Sequence, residues 1–336
     1  MNHIRKLAIE NFKSIRHVTL ECERVNIFLG KPNAGKSNIL EAISLLGAGL
    51  MPFNSHFMEG FLRYKSIIHL FNDYNLEKAI KIKADETSAK LFSSPYGYNF
   101  SILASKEAKK SILAEPFQLE IDANGVIFQS DVANGSFSNV KKYSFQPFDK
   151  ISSDNLHLAT FLLPPHGENF YYVAQSNSEL KAEIQRFLKP NGLEFLFDVE
   201  NQRMDIVRRD ENSLLRFPMA LVPDTFQRYI FHIAAILSNK DSVILFEEPE
   251  THSYAPYVYQ LAQHIVQDER NNQYFLTTHN PYFLLPLLQE VQDVAVFSTW
   301  FENYQTKVRR LSEDEIRSIL NEGIDVFLNL ESVLTP

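Results

Sequence analysis

The chain has 336 residues, 45% of them hydrophobic and 22% charged with both signs mixed. That balance supports one large core or two ordinary ones and excludes intrinsic disorder. A net charge of −8 excludes a surface that grips nucleic acid all over, while a local basic groove stays open. The one cysteine, Cys22, excludes an intramolecular disulfide and a Cys-rich zinc site and fits a cytoplasmic protein. The start has no apolar signal core, and no apolar run reaches about eighteen residues, so no membrane span is expected.

In chain order, Ile4 to Ile9 and His17 to Glu21 read as strands around a turn at Asn11-Phe12-Lys13-Ser14. Val25 to Leu29 is continuously apolar, as a buried parallel strand is. A helix follows from Ser37, with Ile39, Leu40, Ile43 and Leu46 on one face and Gly47 and Gly49 as its stop. Phe53 to Leu70 reads as mixed helical. Ala79 to Ala84, Tyr98 to Leu103, Phe117 to Ile121, Val126 to Ser130 and Val140 to Phe145 alternate as an antiparallel sheet. Turns fall between them at Ser93-Ser94-Pro95, Asp122 to Gly125 and Ala133-Asn134-Gly135.

Leu158 to Leu163 is predicted as a strand, and Ser178 to Leu188 as an amphipathic helix. Glu194 to Val199 and Arg203 to Val207 form a predicted hairpin, and Asp224 to Leu237 a strong helix. Ser242 to Phe246 is a second buried strand, Tyr257 to Val266 a helix and Tyr274 to Thr277 a short strand. Val294 to Ser298 and Thr306 to Leu311 close the chain as a strand pair. There is no repeat, low-complexity tract or heptad run.

Gly30-Lys31-Pro32-Asn33-Ala34-Gly35-Lys36-Ser37 matches G-x-x-x-x-G-K-[ST] between an apolar strand and an amphipathic helix. The glycines allow positive φ, so backbone N–H groups wrap a phosphate and the helix adds its positive end. Lys36 is then expected at the β- and γ-phosphates of ATP, and Ser37 at Mg²⁺. The strand Val243-Ile244-Leu245-Phe246 ends in Glu247-Glu248-Pro249-Glu250. Ligands of a parallel sheet sit at the carboxyl ends of its strands, so Glu247 is assigned to Mg²⁺ and Glu248 to the lytic water. Tyr274 to Thr277 runs into Thr278-His279, and His279 is expected to donate to the γ-phosphate or hold the water.

These signals together resemble ABC-type P-loop ATPase heads, the class of the SMC, RecF-like and OLD (overcoming lysogenization defect) ATPases, most nearly the OLD branch. The resemblance starts at Ile9-Glu10-Asn11-Phe12-Lys13-Ser14 and ends at His279. It implies an α/β head with a mixed, mostly parallel core sheet, a flanking antiparallel β-lobe and a helical lobe. As a single domain it divides into a phosphate-loop part over 1–165, a helical and signature part over 166–240, and an acidic-strand part over 241–336. It implies a homodimer closing on two ATP molecules, with Lys13 and Asn38 joining the loop residues around the nucleotide.

The family's signature segment corresponds to Leu221 to Arg228. Asp224 or Thr225 is expected to cap the following helix and to face phosphate. Pro223 and Thr225 stand where the family has serine and glycine, and Glu247 where it has aspartate. Thr251 to Pro256 is expected to form the loop that crosses to the partner subunit. A glutamine coupling Mg²⁺ to the flanking lobe is expected too, with Gln118, Gln129 and Gln146 all open. About fifty-five residues follow His279, fewer than the TOPRIM nuclease domain of OLD proteins needs. A nuclease or toxin effector is therefore expected on a separate protein, in DNA maintenance or anti-phage defence. Asp293, Glu302, Glu313, Asp314 and Glu315 read as surface charge. So do the basic pairs Lys141-Lys142, Arg208-Arg209 and Arg309-Arg310, where nucleic acid could still bind.

Overall fold

The computed structural model describes residues 3–50, 55–103, 117–131, 139–148, 159–210 and 213–329. Strands β1 (Lys6–Phe12), β2 (Ile15–Glu21) and β3 (Val25–Leu29) lead to helix α1 (Lys36–Ser44), which tightens into a 3₁₀ turn across Gly47 rather than stopping there. Between residues 55 and 70 the expected helix is replaced by turns and a short 3₁₀ helix at Ile67–Leu70. Phe57 and Phe61 are each buried from turn positions, so apolar content there does not carry a helical period.

Strands β4 (Ile80–Ala84), β5 (Thr87–Ser94), β6 (Gly97–Leu103), β7 (Phe117–Ile121) and β8 (Ile127–Asp131) extend the first hairpin into an antiparallel sheet ordered β2-β1-β4-β5-β6-β7-β8. Strand β5 was not expected, since Thr-Ser-Ala-Lys-Leu-Phe-Ser-Ser holds few apolar residues. Ser93 and Ser94, read as a turn, pair with Tyr98 and Gly97. The turn expected at residues 133–135 lies outside the described residues.

Strand β9 (Val140–Tyr143) corrects the sequence reading: it leaves the antiparallel lobe and joins the core sheet. All four of its residues are buried, Lys141 and Lys142 included, so its alternation does not mark a solvated face. The strand expected over 158–163 is not formed by residues 159–163, and Leu158 lies outside the described residues. Side chains there take the place of a neighbouring strand. Ser238 Oγ accepts from Leu162 N at 2.9 Å, Asn169 Oδ1 accepts from Leu163 N at 2.7 Å, and Asn169 Nδ2 donates to Phe161 O at 2.8 Å.

Helices α2 (Phe170–Ser176) and α3 (Ser178–Leu188) precede a three-stranded sheet of β10 (Leu193–Asp198), β11 (Arg203–Asp210) and β12 (Ser213–Pro218). The chain continues through α4 (Asp224–Ser238), β13 (Val243–Glu247), α5 (Ala255–Val266), β14 (Gln273–Thr277), α6 (Pro281–Glu290), β15 (Val294–Glu302), β16 (Gln305–Arg310) and α7 (Glu313–Glu322). The core sheet is ordered β16-β15-β3-β14-β13-β9, with β15, β3, β14, β13 and β9 parallel and β16 antiparallel. No helix among the described residues is long and apolar enough to cross a membrane.

Alternate residues of the core strands serve two cores. Val25, Ile27, Leu29, Ile244, Phe246, Tyr274 and Leu276 pack on one face with α4, α5 and α6; Phe28, Val243, Leu245, Phe275 and Phe297 pack on the other with α1. In α4, Phe231 is fully buried with its ring 5.7 Å from Phe145 and 6.2 Å from Tyr143. Phe231→Ala is therefore expected to lower unfolding stability by about 3–5 kcal/mol, read as a lower urea midpoint.

Candidate functional site

Strand β3 delivers the chain to Gly30, and the loop turns through positive φ at Gly30 (151°), Asn33 (63°) and Gly35 (96°) before α1 begins at Lys36. Gly35 caps α1 without a side-chain hydrogen bond, so no side chain competes for the first-turn N–H groups. The last two strands back this loop. A Cβ on Gly30 would sit 2.0 Å from Thr299 O, and one on Gly35 would sit 1.9 Å from Thr306 Oγ1. Lys36 is buried and folds back, with Nζ donating to Gly30 O at 2.7 Å and Lys31 O at 2.9 Å. Burial holds its ammonium below the usual lysine range, against the pull of Glu248 and Glu247. Pro32 and Ala34 complete the curl, and Ala34 N donates to Lys31 O at 3.3 Å.

The parallel pairing of β13 with β14, and of β14 with β3, brings the acidic strand end to the same edge. The Glu247 carboxylate lies 3.1 Å from Arg63 Nη2 and 3.6 Å from Lys142 Nζ. Burial raises its pKa, but Lys142, the Ser37 hydroxyl and Arg63 outweigh burial and keep it below the usual range. Arg63 Nε also donates to the buried Glu41 at 2.6 Å, and Lys13 pairs with the same carboxylate.

Glu248 takes positive φ (44°) and donates its N–H to Thr277 O and Oγ1, both at 3.1 Å. Such backbone strain in a non-glycine residue is held by its surroundings and concentrates at functional sites. His279 Nε2 lies 3.5 Å from Glu248 Oε1. Burial and Lys36 lower the histidine pKa while Glu248 opposes them, which favours the neutral imidazole.

Glu250 joins the two strand ends. Its Oε1 accepts from Thr278 Oγ1 at 2.6 Å and from His279 N at 2.9 Å, and its Oε2 is buried without a partner among the described residues. Burial pushes the carboxyl up to about 7, against those two donors. Protonation thus favours the folded state: this contribution is complete below about pH 4.5, the carboxyl's ordinary value, and is lost as pH rises through about 7. Glu250→Gln keeps an acceptor and removes the titration. The variant is expected to gain up to about 3 kcal/mol on the wild type between pH 4.5 and 8, checked by urea unfolding at each pH.

Of the other predicted contacts, Lys13 Nζ pairs with Glu41 and donates to Arg63 O at 2.7 Å. The Asn38 side chain donates to Ser14 Oγ at 2.7 Å. Asp224 and Thr225 do not cap α4. Pro223 is the N-cap with no side-chain bond, because α4 already includes both residues. Asp224 pairs with Arg228 at 2.6 Å, and Thr225 Oγ1 accepts from Tyr254 N at 3.3 Å, tying the 251–256 loop to this helix start. Gln118 and Gln129 lie on β7 and β8 of the antiparallel sheet, whereas Gln146 follows β9, whose carboxyl end faces as that of β13 does.

The basic pairs are largely engaged. Lys141 is buried, with Nζ donating to Ser242 Oγ at 3.1 Å, and burial lowers its pKa to about 7. Lys142 Nζ donates to Phe61 O at 2.8 Å. Arg309 pairs with Glu315 at 2.8 Å, Arg310 with Glu23 at 3.0 Å and Arg209 with Glu194 at 3.7 Å. The sequence offers no signal for Glu41 or Arg63, gives Glu250 no role of its own, and reads Lys142 as surface charge, which its burial corrects. Only Glu250, inside the acidic run, carried a visible signal.

A parallel core sheet with a glycine-built phosphate loop, an antiparallel lobe and a helical lobe is the fold of an ABC-type ATPase head of the SMC and RecF kind. The chain belongs to the family described as "AAA domain, putative AbiEii toxin, Type IV TA system", whose model matches residues 25–285. It is 22% identical to an ATP/GTP phosphatase of Helicobacter pylori, over 98% of this chain and 99% of that protein. It is 26% identical to the DNA replication and repair protein RecF of Thermoanaerobacter sp. over 61% of each, so it spans about three-fifths of that relative.

Among solved structures, an SMC head bound to the C-winged helix domain of ScpA superposes with a TM-score of 0.55 at 14% identity, over 94% of this chain and 100% of that one. An SMC head with an extended coiled coil, bound to the C-terminal domain of ScpA from Pyrococcus furiosus, superposes with a TM-score of 0.53 at 12% identity, over 96% and 99%. At such identities the likeness is one of fold.

Proposed function

We propose that the chain binds ATP with Mg²⁺ in the loop from Gly30 to Ser37 and hydrolyses it in a homodimer that sandwiches two nucleotides. The observation that carries this reading is the meeting of Lys36, Ser37, Glu247, Glu248 and His279 at one edge of the core sheet. The donor set fits Mg²⁺: a hydroxyl from Ser37 and a carboxylate from Glu247, whose ionised form Ser37 favours, are hard oxygens that leave other positions to phosphate and water. Bound Mg²⁺ would supply charge neutralisation on the phosphates.

Lys36 would exchange its two carbonyl partners for phosphate oxygens, and Arg63 would add positive charge at the terminal-phosphate end. Glu248 would orient the attacking water and accept its proton. The neutral imidazole of His279 would donate a hydrogen bond to the terminal phosphate, its backbone steadied by Glu250. Gln146 is the glutamine we assign to coupling the antiparallel lobe to Mg²⁺. Asp224 and Thr225, joined to the 251–256 loop, would face the partner's nucleotide.

The RecF relatives and the toxin–antitoxin description of the family support work in DNA maintenance or anti-phage defence beside a separate nuclease or toxin. Steady phosphate release from ATP, abolished in Lys36→Ala, tests the enzymatic reading. The uncapped Pro223 start of α4 favours a second reading, a nucleotide-gated scaffold with little turnover. No release above the Lys36→Ala background would select it.

A further inference from the structure

We propose that the tip of the β15–β16 hairpin is the platform for the nucleotide's base, with Phe301 as the stacking surface. The inference rests on the reading that a nucleoside triphosphate lies in the Gly30–Ser37 loop and adds which side chain holds the other end of it. Sheet order sets the direction. Glu247 ends β13, Glu248 follows it and His279 follows β14, all on one side of β3, whereas β15 and β16 lie on its other side. A triphosphate with its terminal phosphate at the acids therefore has its nucleoside end toward the hairpin.

The hairpin's geometry suits that end. Pairing between β15 and β3 stops at Ser298 opposite Leu29, so the chain beyond Ser298 runs past the strand end and alongside the phosphate loop. Phe301 pairs directly with Thr306, and opposite residues of an antiparallel pair share one face. That face lies against the loop: the Thr306 side chain occupies the space beside Gly35, and its hydroxyl is 2.6 Å from Ser14 Oγ, the acceptor of Asn38. Phe301 on the same face is nevertheless 52% exposed. Asn303 and Tyr304, with φ of 50° and 59°, close a two-residue turn whose twist matches its strands and fixes the tip. An aromatic ring held rigidly at the rim of a phosphate cradle, with its own surface open, offers a nucleobase a stacking partner.

Calorimetry with two magnesium-loaded ligands, ATP and inorganic tripolyphosphate, separates base from phosphate recognition. In Phe301→Ala the ATP dissociation constant is expected to rise about 10-fold with tripolyphosphate binding unchanged, and Phe301→Trp is expected to retain ATP affinity. Equal loss for both ligands, unchanged ATP affinity in Phe301→Ala, or a Trp variant as weak as the Ala variant would overturn the assignment. Wild-type protein that binds tripolyphosphate but gains nothing from the base would also overturn it while leaving the phosphate cradle standing. Wild-type protein that binds neither ligand removes the cradle itself and this platform with it.

Discussion

Glu248→Gln is expected to lower ATP turnover by about three orders of magnitude while leaving ATP binding intact, and to accumulate an ATP-bound dimer. The amide keeps the shape of the side chain and its contact with His279, but cannot accept a proton from water. The backbone that aims this side chain is set elsewhere, by positive φ and two hydrogen bonds to Thr277, so the substitution leaves the strand end in place. Single-turnover phosphate release and sedimentation with and without ATP read the two effects separately. A variant that still turns over at the wild-type rate would show that Glu248 does not handle the water. One that stays monomeric with ATP bound would count against the sandwiched dimer.

Gly30→Ala is expected to be the most damaging single-atom change in the phosphate loop. The new Cβ would meet a backbone carbonyl, Thr299 O, at 2.0 Å, at a φ of 151° that alanine avoids. Neither conflict has a flexible side chain to absorb it, because Thr299 is fixed in the sheet. Steric and backbone strain together are expected to cost roughly 3 kcal/mol of stability. ATP affinity should fall at least about 10-fold, since a nest displaced by an ångström loses its aligned N–H donors. Thermal unfolding and ATP titration of the same variant check both.

The phosphate loop, the acidic strand end and the Thr-Thr-His strand were legible because each depends on a local constraint: glycine φ, a buried apolar run, or adjacent carboxylates. The tertiary partners were not. Lys142 reads as one of two surface lysines until β9 pairs with β13 and buries it. Arg63 lies inside a segment that the sequence reads as mixed helical, and its role depends on a turn that sets it between Glu41 and Glu247. Strand β12 was passed over because Ser213–Pro218 is nearly all exposed and shows no alternation. Helix α6 hid behind Pro281 and Pro286, of which the first sits in the first turn, where proline is tolerated.

Isothermal titration of the purified chain with ATP–Mg²⁺ tests the central claim most directly. One saturable site per chain, with a dissociation constant below about a millimolar and lost in Lys36→Ala, is the predicted result. No heat of binding at millimolar ATP, or the same binding in Lys36→Ala, would contradict it.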